Sequence, residues 1–242
     1  MINYVGSKSR LKDFIIPECP INPDYWIEPF GGMMSFYFEL DLKDYKVTKF
    51  IYNDINKLNS DLFICLKDSN FIKEFKNKKI DYNDYLKSFD LIDSLDIEER
   101  SINWLIILTC TSPRNISDKS FIGTETFDLL KKRIDLYEEH ILRLEIHNKD
   151  YKDIINQYDK FDNSFFYLDP PYVGYEKYYK NSDFDEHYEL SKILNNINSN
   201  WVLSYYYFPE MQEWYGNHKI KSKKWKMSTE YLIINNSSLP NQ

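Results

Sequence analysis

The chain has 242 residues, 43% of them hydrophobic and 17% aromatic, which gives it enough apolar surface for a real core and excludes a disordered polymer. Its formal net charge of −7 argues mildly against a nucleic-acid partner, so such a partner has to be met by local basic clusters. No apolar run approaches a membrane span, Met1-Ile2-Asn3-Tyr4 is no signal-peptide start, and Cys19, Cys65 and Cys110 form neither a CxxC pair nor a metal spacing. The expectation is a cytoplasmic protein with reduced thiols, no metal and no membrane partner.

The first strand signal is Tyr25-Trp26-Ile27, which runs into Glu28-Pro29-Phe30-Gly31-Gly32. Glycines at such a turn let a ligand approach the backbone, and in doubly wound folds this turn holds the cofactor. Phe30 and Gly32 are therefore candidate cofactor contacts. Met34–Asp41 has the length of a helix. A second strand, Phe50-Ile51-Tyr52, ends in Asn53-Asp54. Asp54 stands roughly 20 residues past the glycines, the offset at which an acid grips a ribose hydroxyl pair. The chain has no GxGxxG and no P-loop, so two readings stay open here: a nucleotide-type cofactor, or a Gly-Gly turn beside a surface acid.

From about 57 to 145 the pattern changes. Lys57–Lys67, Tyr82–Ile92, Glu98–Leu108 and Phe127–Leu144 carry helical periodicity, with no strands comparable to those outside. This predicts a helical insertion, 57–145, within an α/β domain made of 1–56 and 146–242. That domain resumes with the strand Phe165–Leu168, the helix Glu186–Asn196 and the strands Trp201–Tyr205 and Tyr231–Ile234. Basic clusters lie at Lys8–Lys12, at Lys76–Lys79, around Arg114 and at Lys219–Lys226. A solvated face accounts for any one of them. The last contains Trp225, which makes Lys223 and Lys224 candidate nucleic-acid contacts.

The most informative residues are Asp169-Pro170-Pro171-Tyr172, where the strand Ser164–Leu168 should end. The prolines stiffen the backbone, remove N–H donors and leave carbonyls exposed. An exocyclic amine on a flat ring needs these groups. Its two N–H bonds can go to the Asp169 carboxylate and the Pro170 carbonyl while the ring stacks on Tyr172, which suits chemistry on an extruded nucleobase. Two such hydrogen bonds would draw the amine nitrogen toward tetrahedral geometry and localise its lone pair for direct attack on a methyl group, a catalysis of positioning and electrostatics. Cys19 precedes a proline rather than following one, which disfavours a cysteine-dependent cytosine enzyme. The plainer alternative is a strand exit in which Asp-Pro-Pro only turns the chain.

Taken in order, Tyr4-Val5-Gly6-Ser7-Lys8, Glu28–Gly32, Asn53-Asp54 and Tyr167–Tyr172 resemble the Dam-type (D12 class) DNA adenine-N6 methyltransferases of the α arrangement. Phe184-Asp185-Glu186-His187 and Thr229–Asn235 are similar to that family's later segments. The resemblance implies a Rossmann-like, S-adenosylmethionine (AdoMet)-dependent methyltransferase sheet of seven strands with an inserted helical target-recognition domain. It implies that Tyr4, Lys8 and Asp169 contact AdoMet, that Asp54 holds its ribose, and that Asp169, Pro170 and Tyr172 act on a flipped adenine in double-stranded DNA. A cognate restriction nuclease is left open as a second partner. The polar stretch from Thr109 to Gly123 resembles the recognition loop or hairpin, with Arg114, Asn115 and Lys119 as DNA contacts. Arg114 and Asn115 could read base edges, bind phosphate or cap the next helix. Only fragments of the pattern shared by GATC-modifying members are present here.

Met33-Met34 departs from the family, which has small residues after these glycines. The departure keeps a rival open: a methyltransferase-derived protein that binds DNA or assembles with a partner without catalysis. A third reading keeps the fold and cofactor and directs them to RNA or another planar amide.

Overall fold

The computed structural model describes residues 8–112, 119–173, 184–225 and 228–235. Its strands are β1 Tyr25–Glu28, β2 Lys49–Asn53, β3 Leu144–His147, β4 Ser164–Leu168, β5 Asn200–Tyr206, β6 Lys219–Trp225 and β7 Ser228–Ile234. Its helices are α1 Lys12–Ile15, α2 Lys57–Cys65, α3 Ser69–Asn77, α4 Tyr82–Leu91, α5 Ile97–Cys110, α6 Glu125–Arg133, α7 Glu138–Arg143, α8 Tyr151–Tyr158, α9 Phe184–Asn196 and α10 Met211–Tyr215.

The seven strands form one sheet in the order β3-β2-β1-β4-β5-β7-β6. β1 pairs in parallel with β2 and β4, and β4 in parallel with β5. β7 runs antiparallel to both β5 and β6. This is a Rossmann-like methyltransferase sheet: a doubly wound parallel half, with one antiparallel strand slotted in beside its far edge. Every residue of β4 is buried. That explains its unbroken run Ser-Phe-Phe-Tyr-Leu, since a central parallel strand is covered on both faces.

The chain divides into two compact units. One comprises Met1–Lys12, Gly31–Leu42 and Asn53–Asp150; the other comprises Asp13–Phe30, Lys43–Tyr52 and Tyr151–Gln242.

In the first unit α2, α3, α4 and α5 begin at side-chain caps. Asn56, Asp68 and Asp96 each accept a backbone N–H of the first turn, and Asp81 with Asp84 forms a reciprocal capping box. α5 is buried along its length from Ser101 to Cys110, so it is the central helix of this unit. Past its end, Thr111 bridges Phe121, with Ser112 N–H donating to the Ser120 carbonyl and Ile122 N–H to that of Cys110. Tyr85 packs on Phe121 at 4.9 Å between ring centres and bonds the Thr111 hydroxyl, which anchors the base of the polar stretch.

Two sequence expectations are corrected here. Met34–Asp41 is no α-helix; it holds one 3-10 turn, Tyr37–Glu39. Met34 adopts φ +46, which a right-handed helix cannot include. The segment Phe127–Leu144 is also interrupted, α6 passing through a 3-10 turn at Ile134–Tyr137 before α7.

In the second unit an apolar cluster fills the space around the sheet, with Ile27, Phe166, Leu168, Trp201, Leu203 and Ile233 among its members. The lysine run from Lys219 is the edge strand β6. Charged edge residues discourage pairing with a foreign strand. Lys219 Nζ lies 3.0 Å from Glu18 Oε2, and Lys221 bonds the other oxygen. Burial pushes the Glu18 carboxyl up, but the hydrogen bonds from Lys221 and Lys219 outweigh it, and the group sits below its ordinary value. Among the described residues no helix is long and apolar enough to cross a membrane.

Candidate active site

The expected site residues that the structure describes fall into two sets, one in each unit.

In the second unit, β1 and β4 lie side by side and parallel, so Glu28 and Asp169 leave the sheet at its carboxyl edge. The strand order reverses between these two strands, and ligands of open α/β sheets bind in the crevice outside such a reversal. Asp169 is half-buried and Pro170 is buried. Glu28 is buried and accepts a bond of 3.2 Å from Trp26 Nε1. Burial pushes its carboxyl up to about 8, the Trp26 bond opposing and Asp169 adding to the rise. Near neutral pH Glu28 is therefore mainly protonated and brings little second negative charge to the strand ends.

Tyr172 stands at the centre of this set. Its hydroxyl is 3.0 Å from Asp169 Oδ1 and also bonds Glu230 Oε1. Its ring meets that of Tyr206 edge-on at 4.5 Å and that of Tyr205 at 5.5 Å. Burial, with the charges of Asp169 and Glu230, holds the phenol well above its ordinary pKa. Tyr172 is only 9% exposed. Nearby, the Tyr167 hydroxyl bonds that of Ser204 at 3.0 Å. On α9, Glu186 meets the Tyr151 hydroxyl, and the buried His187 bonds the Tyr205 hydroxyl through Nδ1 at 2.6 Å. Phe30 lies against Tyr151, 5.0 Å between centres, and packs on the apolar cluster that includes Tyr172.

Glu230 has no role in the sequence reading. A signal for it exists: alternation along β7 places it with Leu232 and Ile234, so an acid occupies an inward position of a core strand.

In the first unit, the glycine turn and the end of β2 hold each other. Gly31 N–H donates to the Asn53 carbonyl at 2.7 Å, and Gly32 N–H to Asp54 Oδ2 at 2.7 Å. Asp54 Oδ1 accepts the Asn56 N–H, also at 2.7 Å. Burial raises the Asp54 carboxyl, with the Asn56 and Gly32 bonds working against the rise. Besides the Gly32 and Asn56 N–H groups the Asn59 side chain also acts on this carboxylate, whose two oxygens offer about four lone-pair sites, so room for a hydroxyl remains. That suits a vicinal diol such as a ribose. Lys8 is buried, and its backbone N–H donates to Ser35 Oγ at 2.8 Å.

Met33 and Met34 are each 2% exposed. Gly32 and Met34 both lie in the left-handed region, at φ +50 and +46. The backbone thus keeps at position 34 a shape that glycine adopts freely and methionine resists, at about 1–2 kcal/mol. Met34→Gly is expected to lower the melting temperature, since a buried methionine contributes about 2–5 kcal/mol and the relieved strain offsets only part of it. The same variant is expected to bind AdoMet more tightly in calorimetry if the side chain obstructs the cofactor, and equally well if it does not.

The remaining expected contacts are less concentrated. Lys119 is exposed, with its ammonium 4.7 Å from the centre of the Phe89 ring. Lys223 lies 5.8 Å from the Phe14 ring and is the cross-strand partner of Glu230, while its neighbour Lys224 is exposed. Tyr4, Arg114 and Asn115 lie outside the described residues.

A doubly wound sheet with one antiparallel insertion, and an Asp-Pro-Pro-Tyr exit at its reversal point, defines the chain as a methyltransferase by fold. The family D12 class N6 adenine-specific DNA methyltransferase matches residues 4–229, and the chain belongs to it. No curated protein matches the chain. Solved structures of similar shape include the rRNA methyltransferase aviRa from Streptomyces viridochromogenes, at 11% identity over 93% of this chain and 84% of that one, with a TM-score of 0.45. A possible methylase from Clostridium difficile 630 has 11% identity over 98% of this chain and 55% of that one, TM-score 0.42. A conserved hypothetical protein of Streptococcus pyogenes has 10% identity over 95% of each chain, TM-score 0.43. Likenesses this distant say nothing of substrate.

Proposed function

We propose that the chain is a site-specific DNA methyltransferase that transfers a methyl group from AdoMet to the N6 amine of an adenine flipped out of double-stranded DNA. The observation that carries the proposal is the Asp169–Tyr172 exit at the carboxyl end of β4, beside β1, in a chain of the D12 family. AdoMet, when bound, supplies an electrophilic methyl group on a sulfonium.

The chain's own residues then do the following. Asp54 accepts a ribose hydroxyl, and the Gly31-Gly32 turn keeps the backbone beside it open. Phe30 offers an apolar surface. Asp169 accepts one N–H of the adenine amine and the Pro170 carbonyl the other, so the nitrogen lone pair is localised and directed away from the ring. Tyr172 provides the stacking face, worth about 1–3 kcal/mol per base. The amine loses one proton as it gains the methyl group, and in this proposal the Asp169 carboxylate takes it. Residues 57–145, with Arg114, Asn115 and Lys119, are proposed to choose the DNA sequence, and Lys223 and Lys224 to contact phosphates.

Expression in a host without adenine methylation, followed by direct sequencing of its DNA and RNA, tests this. N6-methyladenine at one recurring DNA motif is the expected result. The mark in RNA alone would redirect the proposal to RNA, and none in either would favour the non-catalytic reading.

A further inference from the structure

Helix α2 begins against Asp54. The Asp54 carboxylate takes the Asn56 N–H at 2.7 Å, and the Ser60 hydroxyl donates to the Asp54 carbonyl at 3.3 Å. Asn59 stands between these positions in the first turn of the helix, its own N–H donating to the Asn56 carbonyl at 3.0 Å. Side chains of a helix lean back toward its N-terminus, so the Asn59 amide reaches toward the turn that holds Asp54.

Asn59 is 1% exposed. Its Oδ1 accepts the indole N–H of Trp104, on α5, at 2.9 Å. An indole nitrogen only donates, so this bond fixes which end of the amide faces Trp104 and leaves Nδ2 on the other side. Among the described residues, that buried Nδ2 has no hydrogen-bond partner. Burial raises the Asp54 carboxyl, and the Asn59 amide is near enough to oppose the rise. A buried donor short of a full bond is costly in the free chain, and a ligand that completes the bond gains from it.

On the reading given above, in which AdoMet binds at Asp54, we infer that Asn59 is a positioning residue for the cofactor. Its oxygen is anchored on Trp104, and its Nδ2 closes onto the Asp54 carboxylate as a ribose hydroxyl draws that carboxylate into place. The donor left unsatisfied in the free chain is satisfied in the complex, and the gain appears as affinity. Asn59 touches no cofactor atom in this role; it acts through Asp54.

The test is a double-variant cycle read by AdoMet calorimetry and thermal melting. Asn59→Leu has a similar shape and no donor. It is expected to weaken AdoMet binding about tenfold, the factor that corresponds to one hydrogen bond. In the Asp54→Ala background the same substitution is expected to lose no further affinity, because the carboxylate through which Asn59 acts is gone. A residue that only supports the fold would lower affinity by the same factor in both backgrounds. Asn59→Leu also leaves the Trp104 N–H without this acceptor, and if that variant does not fold, Asn59→Asp takes its place. The aspartate keeps an oxygen for the indole and sets a like charge beside Asp54, so it should lose more than about tenfold, again only while Asp54 is present. The inference alone is overturned by a parent that binds AdoMet, and binds it less well as Asp54→Ala, while its Asn59 variants bind as the parent does or lose equally in both backgrounds. A parent that binds no AdoMet, or binds it equally well as Asp54→Ala, overturns the placement of the cofactor at Asp54 and this inference with it.

Discussion

Asp169→Asn is expected to slow methyl transfer by at least about a hundredfold, the loss typical of removing one preorganised transition-state hydrogen bond. The substitution is nearly isosteric, but the amide presents one acceptor and one donor where the carboxylate presented acceptors only. The Tyr172 hydroxyl already makes a claim on one of these oxygens. The asparagine has a single oxygen to share between the hydroxyl and the adenine amine where the carboxylate had two, its amide N–H₂ faces donors, and it lacks the anionic charge that strengthens such bonds. Asp169 is only half-buried, so the melting temperature should change little. Single-turnover kinetics with a melting curve separate the two effects. Base extrusion, followed by the fluorescence of 2-aminopurine at the target position, should persist because Tyr172 is intact. Near-parent turnover of Asp169→Asn on DNA would sink the proposed mechanism.

Much of the architecture was legible in the sequence, for physical reasons that differ from place to place. Strands β1, β2, β4, β5 and β7 were readable because buried strands concentrate apolar residues between turn signals, and Phe165–Leu168 is the clearest case. Of the helices of the middle region α2, α4 and α5 were readable from their periodicity, whereas α3 Ser69–Asn77 was missed and the segment Phe127–Leu144 was read as unbroken. β6 was not, because its lysines obey an edge strand's need for charge rather than a core strand's need for apolar faces. The absent helix at Met34–Asp41 was not legible either. Nothing in the residue types announces that Met34 takes a left-handed conformation, which is set by the turn around it. At the site, Asp169 and Tyr172 stand out by motif, whereas Glu230 is marked in the sequence only by its alternation with Leu232 and Ile234, and its bond to the Tyr172 hydroxyl needed coordinates. Asp54 stands out by its offset from the glycines, but its bonds to Gly32 and Asn56 needed coordinates.

Those bonds change what an Asp54 experiment measures. Asp54→Ala is expected to lower AdoMet affinity about tenfold to a hundredfold, since a charge-assisted hydrogen bond contributes about 1.5–3 kcal/mol. It should also destabilise the fold. The N–H groups of Gly32 and Asn56 would lose their acceptor, at about 1–3 kcal/mol for each one left unsatisfied away from water. A loose glycine turn would then weaken binding for a reason unrelated to the ribose. Asp54→Asn separates the two. Its single amide oxygen can keep one of the backbone bonds, so much of the stability should remain, while the negative charge that strengthens a bond to a hydroxyl is gone. The expected pattern in calorimetry and melting is a comparable loss of AdoMet affinity in both variants and a clearly larger loss of stability in Asp54→Ala. Retention of parent affinity by Asp54→Asn would show that Asp54 serves the turn and not the ribose. In that case its role would be to hold Gly32 in its left-handed conformation, and the ribose would have to find its acceptor elsewhere.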